Sequence, residues 1–441
     1  MRGVSARVLE MQSDGELVRS RASSRPVDGA KPTEGQAFRF WLKLGFISFG
    51  GPAGQIAIMH EELVERRAWI PERRFLHALN FCMALPGPEA QQLASYIGYS
   101  MYGVRGAVTA GGLFVLPSFA LLCGLTAVYA TYGEVATVEG IVRGLGAAVI
   151  ALVAAAVLRV GGRVIRTLPA VALAAGSFAL ILVGVPFPAI LALAALTGYL
   201  TSVRGWRWLA PAGDYEDPEG ETGVGHSRSF VRRLVTTLAV WLVPVGILLA
   251  IGGLVAQLTG FFTVAALVTF GGAYAVLPFV ADAAVNHYGW LSAQDMIAGL
   301  ALGESTPGPL IMVNTFVGFM AGYNIEGGLA WGFVGALIAT LCTFVPSFVF
   351  IINGAPFIER IRTTGAFASA LSGMTVGVVG VIAALAVFVA RHAAFPDGDP
   401  DWLVIGLAIL AFLAVWRFRV GVVSTVLACA LVGLLASVVP G

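Results

Sequence analysis

Charge is what this sequence has least of. Of its 441 residues only 12% are Asp, Glu, Lys or Arg, while 58% are hydrophobic, and the mean hydropathy is +0.85. A soluble protein carries about 25% charged residues, so most of this length is excluded from water and the expected class is an all-α polytopic membrane protein. Cysteine is scarce too. Cys82, Cys123, Cys342 and Cys429 lie in apolar runs without metal-ligand spacing, which predicts buried free thiols and no disulfide framework. The five histidines make no H-E-x-x-H or paired-ligand spacing, and there is no G-x-S-x-G elbow and no P-loop. Those absences argue against an intramembrane hydrolase and an ATP-driven pump; the expectation is no enzyme, no cofactor and no metal. Nothing in the charge pattern suggests a nucleic acid. Residues 1–36 are polar, hold several arginines and lack an apolar signal core, so they read as a disordered cytoplasmic tail rather than a secretory signal.

What is present is a succession of apolar segments, at roughly 38–59, 75–101, 106–131, 139–160, 168–184, 186–203, 230–257, 259–281, 293–322, 326–354, 366–391, 402–416 and 418–438. The polar stretch 204–229, with Asp214, Glu216, Asp217, Glu219 and Glu221, divides them into six, one extra, and six. The expected organisation is a first membrane repeat over 37–203, a cytoplasmic linker over 204–229, and an extra helix plus a second repeat over 230–441.

The two blocks are copies. Phe49-Gly50-Gly51, Trp69 and Pro86-Gly87-Pro88 recur at one constant displacement as Phe270-Gly271-Gly272, Trp290 and Pro307-Gly308-Pro309. Pro117-Ser118-Phe119 recurs slightly farther on as Pro346-Ser347-Phe348. A register held over about forty residues marks an internal duplication. An odd number of segments separates the two starts, which gives inverted-topology repeats, a common plan for secondary transporters with substrate near the midplane. The positive-inside rule agrees for the loop with Arg159, Arg163 and Arg166, for the linker, and for Arg360, Arg362, Arg417 and Arg419. If every segment crosses, however, Arg66, Arg67, Arg73 and Arg74 fall outside. Treating the Phe-Gly-Gly and Pro-Gly-Pro segments as re-entrant hairpins returns them to the cytoplasm, since about ten helical residues reach the middle of a ~30 Å core. The N-terminus is then cytoplasmic.

Proline lacks an amide hydrogen and keeps the residue before it out of helix, so both Pro-Gly-Pro triplets must interrupt their segments. The helices that follow, Glu89 to Tyr102 and Leu310 to Tyr323, begin inside the membrane with free N–H donors and the positive dipole end, a setting that favours an anion. Non-helical backbone at this depth must pack in protein or line a cavity. The candidate substrate-binding residues are Ser48, Gly50, Gly51, Pro86, Gly87, Pro88, Gln91 and Gln92 in the first copy. In the second they are Thr269, Gly271, Gly272, Ser305, Thr306, Pro307, Gly308, Pro309 and Asn314. Hydroxyls and amides suit a partly dehydrated oxyanion, although Ser and Thr in membrane helices also bond to their own backbone. Glu89 and Glu304 are acids at costly depth and are candidates for ion or proton coupling; Glu89 equally complements its own helix N-terminus. The four arginines are either an anion funnel or topology anchors mixed with Glu61, Glu62, Glu65 and Glu72.

At these residues the chain resembles the chromate ion transporter (CHR) family in its long, two-domain form. The resemblance rests on Phe49-Gly50-Gly51-Pro52, Trp69, Leu85-Pro86-Gly87-Pro88-Glu89-Ala90, Gln92-Leu93, Tyr96-Ile97-Gly98-Tyr99 and Leu116-Pro117-Ser118. In the second half it rests on Thr269-Phe270-Gly271-Gly272, Trp290, Thr306-Pro307-Gly308-Pro309 and Val345-Pro346-Ser347. The second copy lacks the Glu-Ala and Gln-Leu after Pro-Gly-Pro and has Leu310-Ile311 and Asn314 instead, so the halves are not expected to bind identically. The resemblance implies chromate export across the inner membrane, with sulfate, another tetrahedral dianion, as a related anion. The alternatives are a sulfate carrier or sulfate/chromate exchanger and, from other classes, a membrane-embedded enzyme or a passive anion channel. The partners expected are the anion and the lipid bilayer; a homodimer is admitted, but no residue specifies it.

Overall fold

Helices form wherever the sequence runs apolar without Pro-Gly interruption, and they stop at the breaks named above. The structure, a computed structural model, describes residues 32–49, 51–133, 135–204, 228–357 and 365–438. Gly50, most of the tail, linker residues 205–227 with their acids, and Arg360 and Arg362 lie outside the described residues. In chain order the α-helices are α1 (Glu34–Ile47), α2 (Gly51–His60), α3 (Glu72–Met83), α4 (Glu89–Tyr132), α5 (Ala136–Val164), α6 (Leu168–Leu182), α7 (Phe187–Val203) and α8 (Arg228–Ile251). They continue as α9 (Gly253–Val268), α10 (Ala273–Asp282), α11 (Ala293–Ser305), α12 (Val313–Gly322), α13 (Leu329–Gly354), α14 (Gly365–Ala394), α15 (Trp402–Arg417) and α16 (Val422–Val438). Among the described residues there are no strands, and five helices are long and apolar enough to cross a membrane. The chain is an all-α polytopic membrane protein. Its shorter apolar helices, such as Phe187–Val203 and Val422–Val438, have 17 residues each, or about 25 Å at 1.5 Å per residue.

Segment boundaries differ from the sequence expectation where glycine intervenes. The segment expected over 230–257 stops at Ile251 because Gly252 and Gly253 take φ of +81° and +58°, and the next helix starts there rather than near 259. The segments 38–59 and 293–322 are each two short helices, parted at the Phe-Gly-Gly and Pro-Gly-Pro breaks. Helix α4 runs past the expected end of its segment, but Tyr102 and Gly103 leave helical geometry, so it is two rods joined at a bend. The four cysteines are buried and unpaired.

The duplication is visible in backbone bonds at matching positions. Both copies carry a π-helical turn, Glu61–Arg66 and Ala283–His287. The Trp69 amide donates to the Leu63 carbonyl and the Trp290 amide to that of Ala284, each at 2.8 Å. Each tryptophan is covered from the same place by different chemistry. The Arg67 guanidinium lies 5.0 Å from the Trp69 ring, whereas Tyr288 stacks on Trp290 at 4.3 Å.

Helix pairs close through small residues, as expected where lipid removes the hydrophobic drive between helices and close backbone approach must replace it. A side chain at Gly144 would meet the Cys429 carbonyl at 2.1 Å, and one at Gly322 the Trp331 carbonyl at 2.0 Å. The second copy's broken elements form the deepest core, with Val276, Met296, Ile311, Met312 and Phe316 fully covered. Helix α8 does the opposite. Val231, Val235, Val240 and Ile247 are more than half exposed along it, as suits an extra helix facing lipid.

Candidate functional site

Each Pro-Gly-Pro break turns on a glycine that only glycine fits: Gly87 has φ +124° and Gly308 has φ +108°, conformations L side chains rarely adopt. The turn exposes an amide, and each amide is taken by the other half. The Gly87 amide donates to the Thr269 carbonyl and the Gly308 amide to the Ser48 carbonyl, both at 2.8 Å. Ser48 and Thr269 are the residues immediately before the two Phe-Gly-Gly motifs. The breaks are thus crossed: the Pro-Gly-Pro of each half sits on the Phe-Gly-Gly entrance of its counterpart. Buried amides and carbonyls must be paired, and here the pairing is reciprocal.

Side chains reinforce the crossing. Gln55 Nε2 donates to the Gly308 carbonyl at 2.5 Å and to the Ser48 carbonyl at 3.3 Å. Gln92 Nε2 donates to the Pro86 carbonyl at 2.7 Å. Pro88 caps α4 without a capping side chain, leaving the amides of Glu89, Ala90 and Gln91 without an intrahelical acceptor. Glu89 reaches across to the second Phe-Gly-Gly, its Oε1 3.9 Å from where a Gly272 side chain would begin. Glu304 accepts a 2.5 Å bond from the hydroxyl of Tyr274, two residues beyond Gly272, and Arg159 bears on it electrostatically. Both acids therefore converge on the second copy's entrance, one from each half. Gly271 opens toward Thr375 on α14, while Gly51 has open space beside it.

Not every expected residue reaches the crossing. Ser48, Thr269, Ser305 and Thr306 donate their hydroxyls to carbonyls of their own helices, those of Leu44, Ala265, Leu302 and Gly303. What Ser48 and Thr269 bring to the crossing is backbone. Asn314 lies off it, with Nδ2 on Thr343 Oγ1 at 3.1 Å, and Gln91 bonds to Ser95 at 3.0 Å within its helix. Pro307 and Pro309 flank Gly308 in the turn, and the Pro309 carbonyl accepts from Met312. In place of a regular first helical turn, the second copy opens on a 3-10 turn, Leu310–Met312. Sequence reasoning left out Tyr274, whose hydroxyl only the fold brings to Glu304, and Ser118 and Ser347, whose signal was their place in the repeated Pro-Ser-Phe.

Two of the four arginines of the first loop are taken up by its own glutamates. Arg66 pairs with Glu61 at 2.6 Å and with Glu62 at 3.0 Å, and Arg67 pairs with Glu62 at 3.0 Å. The Arg67 hydrogen bond holds the Glu62 carboxyl below its ordinary range, against a smaller upward push from burial. Elsewhere a polar cavity of about 960 Å³ lies between the halves, lined by Tyr129, Glu139 and Arg143 of the first and Asp295, His392 and Asp401 of the second. Two bridges cross it: Tyr129 to Asp295 at 2.7 Å, and Arg143 to Asp401 at 2.5 and 2.8 Å.

Comparison with known proteins follows the same two blocks. The family model described as Chromate transporter matches residues 35–199 and again 256–434. A chromate transport protein of Pseudomonas aeruginosa is 33% identical over 90% of this chain and 91% of its own length. A probable chromate transport protein of Synechococcus elongatus is 28% identical over 87% and 90%, and a chromate transport protein of Cupriavidus metallidurans 27% identical over 91% and 92%. No solved structure matches.

Proposed function

This chain belongs to the chromate transporter family, and from that premise we propose that it moves chromate out of the cell across the inner membrane as a secondary transporter. The observation that carries the reading is the crossed pair of breaks, where the Gly87 and Gly308 amides each bond to the opposite half. A tetrahedral dianion replaces those carbonyls, held by the Gly87 and Gly308 amides and the open amides of Glu89, Ala90 and Gln91. Rocking one half against the other makes and breaks the two crossings and so alternates access. The repeats are inverted, the breaks are re-entrant, and the N-terminus is cytoplasmic.

Direction follows from charge. A cell interior is electrically negative, and each charge moved is worth about 2.3 kcal/mol per 100 mV, so a departing dianion gains about 4.6 kcal/mol for every 100 mV. The cavity between the halves suits the outward exit: Glu139, Asp295 and Asp401 outnumber Arg143 on its wall, so it releases an anion rather than retaining it. Glu89 and Glu304 serve coupling, charging or discharging beside the second entrance as the halves move.

Everted membrane vesicles carrying the protein test this. Chromate is expected to accumulate above empty vesicles, to fall when a protonophore collapses the gradient, and to be reduced by excess sulfate, which competes for the same donors. No accumulation above empty vesicles would overturn chromate export.

A further inference from the structure

Most buried Ser and Thr hydroxyls among the described residues follow one habit. Ser48, Thr126, Thr259, Thr269, Thr340 and Thr343 each donate to a carbonyl one turn back on their own helix. Ser118 and Ser347 break it. They are 0% and 1% exposed, and neither Oγ has a hydrogen-bond partner. A buried polar group without a partner is uncommon and costly. These two are the serines of the repeated Pro-Ser-Phe, and each faces the Pro-Gly-Pro of the opposite half. A side chain on Gly308 would begin 2.5 Å from Ser118 Cβ and 2.7 Å from its Oγ, and one on Gly87 would begin 2.4 Å from Ser347 Oγ.

Each crossing therefore assembles two donors from different directions, the glycine amide and the facing serine hydroxyl. In the closed arrangement a carbonyl from Thr269 or Ser48 occupies the amide, while the hydroxyl is left without an acceptor. We propose that Ser118 and Ser347 are substrate-contacting residues, and that each completes an oxyanion seat with the Pro-Gly-Pro amide of the other half. When the crossing opens, the amide is released and both donors converge on one tetrahedral anion. The seat selects for a compact anion with oxygens on several sides, because the serine stands against the glycine with no room for a larger group. This rests on the transport reading above but does not depend on chromate being the anion.

The test uses the full-length purified protein and two variants, Ser118→Ala and Ser347→Ala, with thermal unfolding followed in chromate, sulfate and molybdate. A hydroxyl without a partner adds nothing to the fold, so without anion both variants should melt at or above the wild-type temperature. Each should bind the stabilising anion about tenfold or more weakly, the loss expected for one hydrogen bond to a charged group. Unchanged anion affinity in both variants would overturn the proposal, and so would a lowered melting temperature without anion, which would make the serines structural. If wild type responds to sulfate or molybdate and not to chromate, with that response lost in the variants, the chromate reading fails and the serine seat stands. If wild type responds to none of the three, the seat is wrong as well.

Discussion

Glycine at a Pro-Gly-Pro centre answers two demands at once, a backbone conformation and a contact, and substitution can separate them. Gly51 and Gly308 both have positive φ, +71° and +108°, yet nothing lies within 4 Å of a side chain built on Gly51 while Ser118 crowds one built on Gly308. Gly51→Ala meets backbone strain alone, about 1–2 kcal/mol. Gly308→Ala adds overpacking in a filled core, for about 2–5 kcal/mol in total. Thermal unfolding of the two variants should rank them in that order, and equal losses would mean that the crossing is not tightly packed. At this scale the sequence is a good guide to where the backbone must break, because Pro and Gly restrict φ wherever they stand. It is a poor guide to hydroxyls. Ser48 and Thr269 look like oxyanion donors, but their protons go to Leu44 and Ala265, since a helix always offers a carbonyl one turn back. Ser118 and Ser347 look like ordinary core serines, yet their hydroxyls have no partner.

Among the elements, the half-helices that meet at the breaks were legible and their partners were not. The helix after each break ends where expected, at the Tyr102–Gly103 bend and at the π-turn that begins at Tyr323. The bonds that fix the two breaks against each other join Gly87 to Thr269 and Ser48 to Gly308, far apart in the chain, and no local pattern encodes them. The same holds for the bridge between α5 and the start of α15. Asp401 is the N-cap of α15, accepting from the Leu403 and Val404 amides at 3.1 Å, and it pairs with Arg143, whose side chain is 49% exposed. A cap is worth about 0.5–2 kcal/mol, whereas a half-exposed ion pair is worth at most about 1 kcal/mol. Asp401→Ala should therefore destabilise more than Asp401→Asn, which keeps the cap. Burial pushes the Asp401 carboxyl up, but the Arg143 hydrogen bond and the two amides together outweigh it and hold the group below its ordinary range. A depressed folded pKa contributes stability that is complete above the unfolded value, near 4, and is lost as pH falls through the lower folded value. Wild type should lose that increment on acidification and Asp401→Asn should not; parallel unfolding profiles below pH 4 would contradict it.

For the whole molecule, class and duplication followed from hydropathy and from landmarks kept at one spacing, because both are properties of composition and order. The packing of the copies did not follow. The second copy's entrance lies at the centre of the core, with Ala273, Val276 and Leu277 buried, while Gly51, Pro52 and Ala53 of the first are partly exposed or exposed. Two copies of one design have thus become unequal partners around a crossing they share, and two acids, Glu89 and Glu304, attend only one of its ends. If a doubly charged anion passes through this crossing, the electrical field must act on the flux. The decisive measurement is chromate efflux from proteoliposomes loaded with chromate, with the membrane potential set by a potassium gradient and valinomycin. Efflux should exceed that from protein-free vesicles and should quicken as the interior is made more negative. No protein-dependent flux would contradict chromate transport itself, and a flux indifferent to potential would contradict the passage of a bare dianion through the crossing.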